Sequence, residues 1–163
     1  MKSYLAFTAG LLALFREVDA VPAQNHLGLS ITARANPPAF FLAGDSTTAV
    51  QSSGGGGWGN GFLSFLEPPA WGENLGHNGA TTVSFVEGGD WHTVLGLVAD
   101  NRDEFNTYVT IQFGHNDQKP EKGISLEQFQ ANLENLASEV KEAGVTPVSP
   151  IVTTLRPSVV FNI

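Results

Sequence analysis

Two segments constrain this chain more than anything else in it: "FFLAGDSTTA", Phe40 to Ala49, and "TYVTIQFGHND", Thr107 to Asp117. Each opens as an apolar, β-branched or aromatic run. Each closes on a glycine followed by polar residues, Gly44-Asp45-Ser46-Thr47 in the first and Gly114-His115-Asn116-Asp117 in the second. Apolar runs of this kind are strands buried on both faces, the pattern of parallel sheets. In open α/β sheets, ligands bind in the crevice outside the carboxyl ends of the strands. Two strands finishing in polar clusters therefore predict one shared crevice, with Ser46 as a candidate nucleophile. Gly-Asp-Ser-Thr alone also describes an ordinary capped strand-to-helix turn, so the remainder of the chain has to decide.

The segments between these runs alternate in period. "WGNGFLSFL", from Trp58, reads as a helix with Trp58, Phe62, Phe65 and Leu66 turned inward, stopped by Pro68 and Pro69. A short strand is expected near Asn74, then a glycine-bearing turn at Gly76 to Gly79. Trp91, Val94, Leu95 and Val98 fall at helical spacing, with Trp91 read as core. Ser125 and Gln128 form a capping box at the head of a helix striped by Leu126, Phe129, Leu133, Leu136 and Val140 and ended by Gly144. "VTPVSPIVTTL" gives a further strand, weakened in its first half by Pro147 and Pro150. Strand and helix alternating in this way define an α/β domain with a mainly parallel sheet.

Composition narrows the function classes. In 163 residues, 42% hydrophobic and 15% charged content is that of one globular domain, and the 18 glycines suit tight turns between strands and helices. Residues 1–20 read as a secretory signal peptide: Lys2, then an apolar run too short to span a bilayer, then small residues at Ala20 and Ala23. Residues 21–38 read as an amino-terminal tail, and 39–163 as the domain. The chain is thus expected to be secreted and extracellular. The signal segment carries two acidic and two basic residues, so the net charge of −8 survives its removal. An acidic secreted chain has no electrostatic reason to bind nucleic acid or an anionic membrane, and a monomer is expected. With no cysteine there is neither a disulfide framework nor a thiol nucleophile. The four histidines show no metal-ligand spacing, and Gly54 to Gly57 lead into Trp58-Gly59 rather than the Lys-Ser/Thr of a phosphate loop, so no metal or cofactor is expected.

A serine nucleophile needs a base, and hydrogen-bond donors aimed at the oxygen that becomes negative during attack on a carbonyl. Ser46, the turn at Gly79 and the Asn116 amide supply such donors. At this point the motifs reach a resemblance: "GDST" at 44–47, "NGATT" at 78–82 and "FGHND" at 113–117 resemble, in order and spacing, the first three sequence blocks of the SGNH (GDSL-like) hydrolases. Within that superfamily the letters are most similar to fungal rhamnogalacturonan acetylesterases. The resemblance runs from Phe40 to about Leu155 and implies a flavodoxin-like three-layer α/β/α sandwich. It implies Ser46 as nucleophile and first oxyanion donor, Gly79 as second donor through its N–H, and Asn116 as third through its side-chain amide. The implied substrate is an acetylated pectic polysaccharide. Asp45 and Asp117 are read as structural hydrogen-bonding groups.

The family's fourth block, an Asp-x-x-His pair supplying the base, has no counterpart here: no aspartate follows Asp117 and no histidine follows His115. The expectation is a domain incomplete at its carboxyl terminus and impaired in catalysis. The competing expectation is a non-catalytic carbohydrate-binding or degenerate protein, with Trp58 and Trp71 free to stack on sugars. His77 is read as a solvated loop histidine rather than a replacement base, because no group that could orient it is evident nearby. His115 is read as tuning its own turn, and His92 and His26 as surface residues.

Overall fold

The computed structural model describes residues 35–50 and 56–149. The expected signal peptide, most of the tail, His26 and the strand beyond Ser149 lie outside the described residues. In chain order the elements are β1 (Pro38–Gly44), α1 (Trp58–Leu63), β2 (Trp71–Asn74), α2 (Thr82–Glu87), α3 (Asp90–Asn101), β3 (Asn106–Gln112), a short 3-10 turn (Pro120–Lys122), α4 (Leu126–Glu142) and β4 (Thr146–Val148).

The four strands form one wholly parallel sheet in the order β2-β1-β3-β4. Its centre is the β1–β3 pairing, which runs in register from Pro38↔Asn106 to Gly44↔Gln112. The chain leaves β1 toward β2 on one side and then crosses to β3 on the other. That reversal is the topological switch point of a flavodoxin-like sheet, where the crevice opens. The two polar-ended runs read from the sequence are therefore adjacent strands with their tips side by side.

Alternation along β1 assigns the two faces. Ala39, Phe41 and Ala43 are fully buried and join Trp91, Val94 and Val98 of α3 and Phe129, Leu136 and Val140 of α4 in the main core. Phe40 turns to the opposite face, stacked on Tyr108 and edge-on to Phe62 of α1. Helices on both faces give the three-layer α/β/α architecture. Trp91 is core, as the sequence predicts, and its indole N–H donates to Glu139 at 2.9 Å.

Several local expectations change. Phe65 is 85% exposed, because α1 ends at Leu63 and helical periodicity no longer governs residues beyond it. Leu126, the first residue of α4, is half-exposed because the apolar stripe meets the core only from Phe129 onward. Ser125 accepts from the Gln128 N–H at 3.1 Å, but the Gln128 side chain reaches forward to Asn132, so the cap is one-sided rather than a box. α2 was not anticipated. It starts from Thr81, which accepts from the Ser84 N–H while Ser84 Oγ accepts from the Thr81 N–H.

Candidate active site

Beyond β1 the chain makes a single helical turn. The Asp45 carbonyl accepts from the N–H groups of Thr48 (3.0 Å) and Ala49 (2.9 Å). Asp45 caps this turn: its Oδ1 accepts from the Thr47 N–H and the Thr47 hydroxyl, both at 2.8 Å. The first N–H of a helical turn has no partner within it, and here that residue is Ser46. Neither the Ser46 N–H nor its hydroxyl has an acceptor among the described residues.

The turn is fixed in place from several directions. The Asp45 N–H donates to the Gln112 carbonyl at the tip of β3. The Gln112 side-chain oxygen accepts from the Thr48 hydroxyl at 2.9 Å and from the Trp58 indole N–H. Asn74 donates to the Thr48 carbonyl at 2.8 Å. Two glycines complete the enclosure by close approach: a Cβ on Gly57 would lie 2.0 Å from the Thr47 carbonyl oxygen, and one on Gly76 would lie 2.6 Å from the Ala49 nitrogen. Both obstacles are backbone, so no side chain fits at either position.

The second block is brought to the same edge from β2. The His77 N–H donates to the Gly44 carbonyl at 2.9 Å, continuing the strand pairing past its formal end. A tight turn follows, closed by the Ala80 N–H on the His77 carbonyl at 3.1 Å. Gly79 occupies its left-handed position at φ +82° and is exposed; its N–H has no acceptor among the described residues.

The third block follows β3. Asn116 is 3% exposed, and its amide donates to the Ala80 carbonyl at 2.9 Å, which ties the third block to the second. The Lys119 ammonium donates to its Oδ1 at 2.7 Å. One N–H of the Asn116 amide remains without an acceptor among the described residues. Asp117 is buried and fully engaged: Oδ1 accepts from the Thr82 N–H (2.8 Å) and hydroxyl (2.6 Å), and Oδ2 from the Gly114 N–H (3.2 Å). Asp45 and Asp117 are thus both hydrogen-bond acceptors that shape their turns.

Ser46, Gly79 and Asn116 accordingly stand on three turns linked by three hydrogen bonds: His77 to Gly44, Asp45 to Gln112, and Asn116 to Ala80. Each turn leaves at least one donor unengaged among the described residues: the Ser46 N–H, the Gly79 N–H and one N–H of the Asn116 amide. Donors of this kind are what an oxygen that gains negative charge requires.

The environment of His77 differs from the sequence reading. Its Nδ1 lies 2.7 Å from Oδ2 of Asp90, the first residue of α3, so an orienting carboxylate is present. The pair is surface-exposed and borders a polar hollow of about 200 Å³ lined by Asn74, Leu75, Gly76, His77, Asp90 and Thr93. His115 and His92 are exposed. Trp71 packs edge-on against Phe41 and Phe105, and Trp58 against Phe62, so both rings serve packing. Among the described residues no group of three or more acidic or histidine side chains is placed to hold a metal ion.

This chain belongs to the GDSL-like lipase/acylhydrolase family, whose profile matches residues 42–162. It is similar to the rhamnogalacturonan acetylesterase RhgT of Bacillus subtilis (strain 168), with 35% identity over 115 residues, 69% of this chain and 47% of that protein. The chain therefore spans about half the length of that curated relative. The crystal structure of protein YxiM of Bacillus subtilis shares the fold at a TM-score of 0.58 and 21% identity, covering 71% of this chain and 33% of that one.

Proposed function

We propose that this chain is a secreted serine acetylesterase that removes acetyl groups from pectic polysaccharide of the rhamnogalacturonan class, and that its 163 residues alone turn over slowly. The observation that carries the reading is the set of three donors without acceptors among the described residues, on the turns of Ser46, Gly79 and Asn116. Ser46 Oγ attacks the acetyl carbonyl, and the carbonyl oxygen, now negative, is received by the N–H groups of Ser46 and Gly79 and the Asn116 amide. The polysaccharide leaves as its free hydroxyl form. Water then attacks acetyl-Ser46 and releases acetate. Loss of one such donor costs ~3 kcal/mol of transition-state stabilisation.

Both steps require a base: no histidine follows His115 in these residues, and the His77 side chain is engaged with Asp90 and makes no hydrogen bond to Ser46 among the described residues. Serine proteases stripped of a triad member retain on the order of 10³-fold catalysis over water from binding and the oxyanion donors, and a residual rate of that kind is expected here. The substrate class is supported by the name of the relative at 35% identity and by the Gly-Asp-Ser-Thr and Phe-Gly-His-Asn-Asp motifs.

The test is acetate release from acetylated rhamnogalacturonan and hydrolysis of 4-nitrophenyl acetate, each against a Ser46→Ala control. Slow hydrolysis above the control is expected. A rate equal to that of the control would refute the serine mechanism, and retention on acetylated pectin without cleavage would favour a binding protein. The packing roles of Trp58 and Trp71 speak against that second reading.

A further inference from the structure

Lys119 has no place in the three-block description, yet its ammonium lies 2.7 Å from Oδ1 of Asn116, and the contact is partly buried. The lysine is held there by the backbone: its N–H donates to the Asn116 carbonyl at 3.1 Å, and the 3-10 turn at Pro120 follows at once. We propose that Lys119 is a positioning residue for the oxyanion site, fixing and polarising the Asn116 amide. The inference rests on the proposed role of Asn116 as oxyanion donor.

The amide has two chemically different ends. An asparagine side chain can rotate by half a turn and exchange oxygen for nitrogen with little change of shape. In this site only one orientation satisfies both neighbours. An ammonium only donates, so the amide oxygen must face Lys119. The Ala80 carbonyl only accepts, so the NH2 group must face the turn that carries Gly79. With one N–H held on Ala80, the geometry of a planar amide fixes the direction of the other. The lone pair of contacts thus decides that the free group at the site is a donor.

Charge acts in addition to orientation. A cation on Oδ1 draws electron density toward the oxygen and leaves the nitrogen protons more positive, which strengthens donation to a developing oxyanion. Asn116 is 3% exposed, so water screens this polarisation poorly. Asp117 beside it does not neutralise the lysine, because its carboxylate faces Thr82 and Gly114.

The experiment compares the full chain with Lys119→Met, Lys119→Gln and Lys119→Arg, using Lys141→Met on the exposed end of α4 as a remote control. The side-chain amide resonances of Asn116, assigned by their loss in Asn116→Ala, are expected to move upfield in Lys119→Met. They should stay near their native positions in Lys119→Arg and fall between in Lys119→Gln, which keeps a neutral donor. Ser46-dependent hydrolysis of 4-nitrophenyl acetate should lose about tenfold in kcat in Lys119→Met, less than the ~10²–10³-fold loss of removing a donor. KM should stay within about twofold, and Lys119→Arg should recover most of kcat. Unchanged Asn116 resonances in a folded Lys119→Met or Lys119→Gln chain would overturn the proposal, as would a kcat loss no larger than that of Lys141→Met. If the native chain is no faster than Ser46→Ala, the esterase reading fails instead, and the amide resonances still decide whether Lys119 polarises Asn116.

Discussion

Replacing Asp117 by alanine removes the side chain that ties the third block to the start of α2. Its carboxylate accepts from the Thr82 N–H and hydroxyl at the start of α2 and from the Gly114 N–H at the end of β3, and the residue is 2% exposed. The Thr82 hydroxyl keeps one partner, since Asn132 of α4 donates to it at 2.8 Å. The two backbone N–H groups keep none among the described residues. Each buried donor left without an acceptor costs ~1–3 kcal/mol, so the loss is about 2–6 kcal/mol, with admitted water setting the lower end. At ~4 °C per kcal/mol for a domain of this size, the midpoint should fall by roughly 8–24 °C. Thermal unfolding followed by far-UV circular dichroism measures it. Asp117→Asn, which keeps one acceptor for Thr82 but turns an NH2 group toward the Gly114 N–H, should lose about half as much. A fall of less than about 3 °C for Asp117→Ala would refute the claim that this carboxylate joins the third block to α2.

Gly57→Ala sets a Cβ against the Thr47 carbonyl oxygen; it should destabilise by ~1–3 kcal/mol or more in urea unfolding and abolish any Ser46-dependent hydrolysis. Gln112→Leu strips an acceptor from both Thr48 and Trp58 and should cost ~2–4 kcal/mol, read as a lowered urea midpoint with an unchanged slope. Ser125→Ala removes the accepting side chain at the head of α4 and should cost ~1 kcal/mol in the same assay. Phe65→Ser should leave stability within ~0.5 kcal/mol, because the ring is exposed; a larger loss would restore the inward placement read from the sequence.

The parts of the fold written in long, single-period patterns were legible. β1 and β3 show as apolar runs, and α3 and α4 as stripes at helical spacing, because each buries enough surface for composition to betray it. α2 escaped notice since it has only six residues, opening on a threonine behind a threonine cap, and its stability comes from a Thr81–Ser84 exchange and from Asp117, 35 positions away. Candidate site residues were legible where a motif closes a strand, as at Ser46 and Asn116. Their partners were not. Asp90 reaches His77 only because a turn and a helix end happen to meet, and Lys119 reaches Asn116 across a turn whose shape no residue pattern announces.

The position of β1 at the middle of a wholly parallel sheet has a consequence for how the chain acquires its structure. Pro38 finds its β3 partner, Asn106, only about 70 residues later in the chain, so neither flank of the central strand can be completed by local contacts. On a ribosome adding ~5–20 residues per second, the strand that ends at Gly44 waits roughly 4–14 s for that neighbour to be synthesised. During that interval Phe40, Phe41 and Leu42 are a hydrophobic ribbon with an open edge, and variants that slow the arrival of β3 should raise aggregation in cells without changing the stability of the finished molecule.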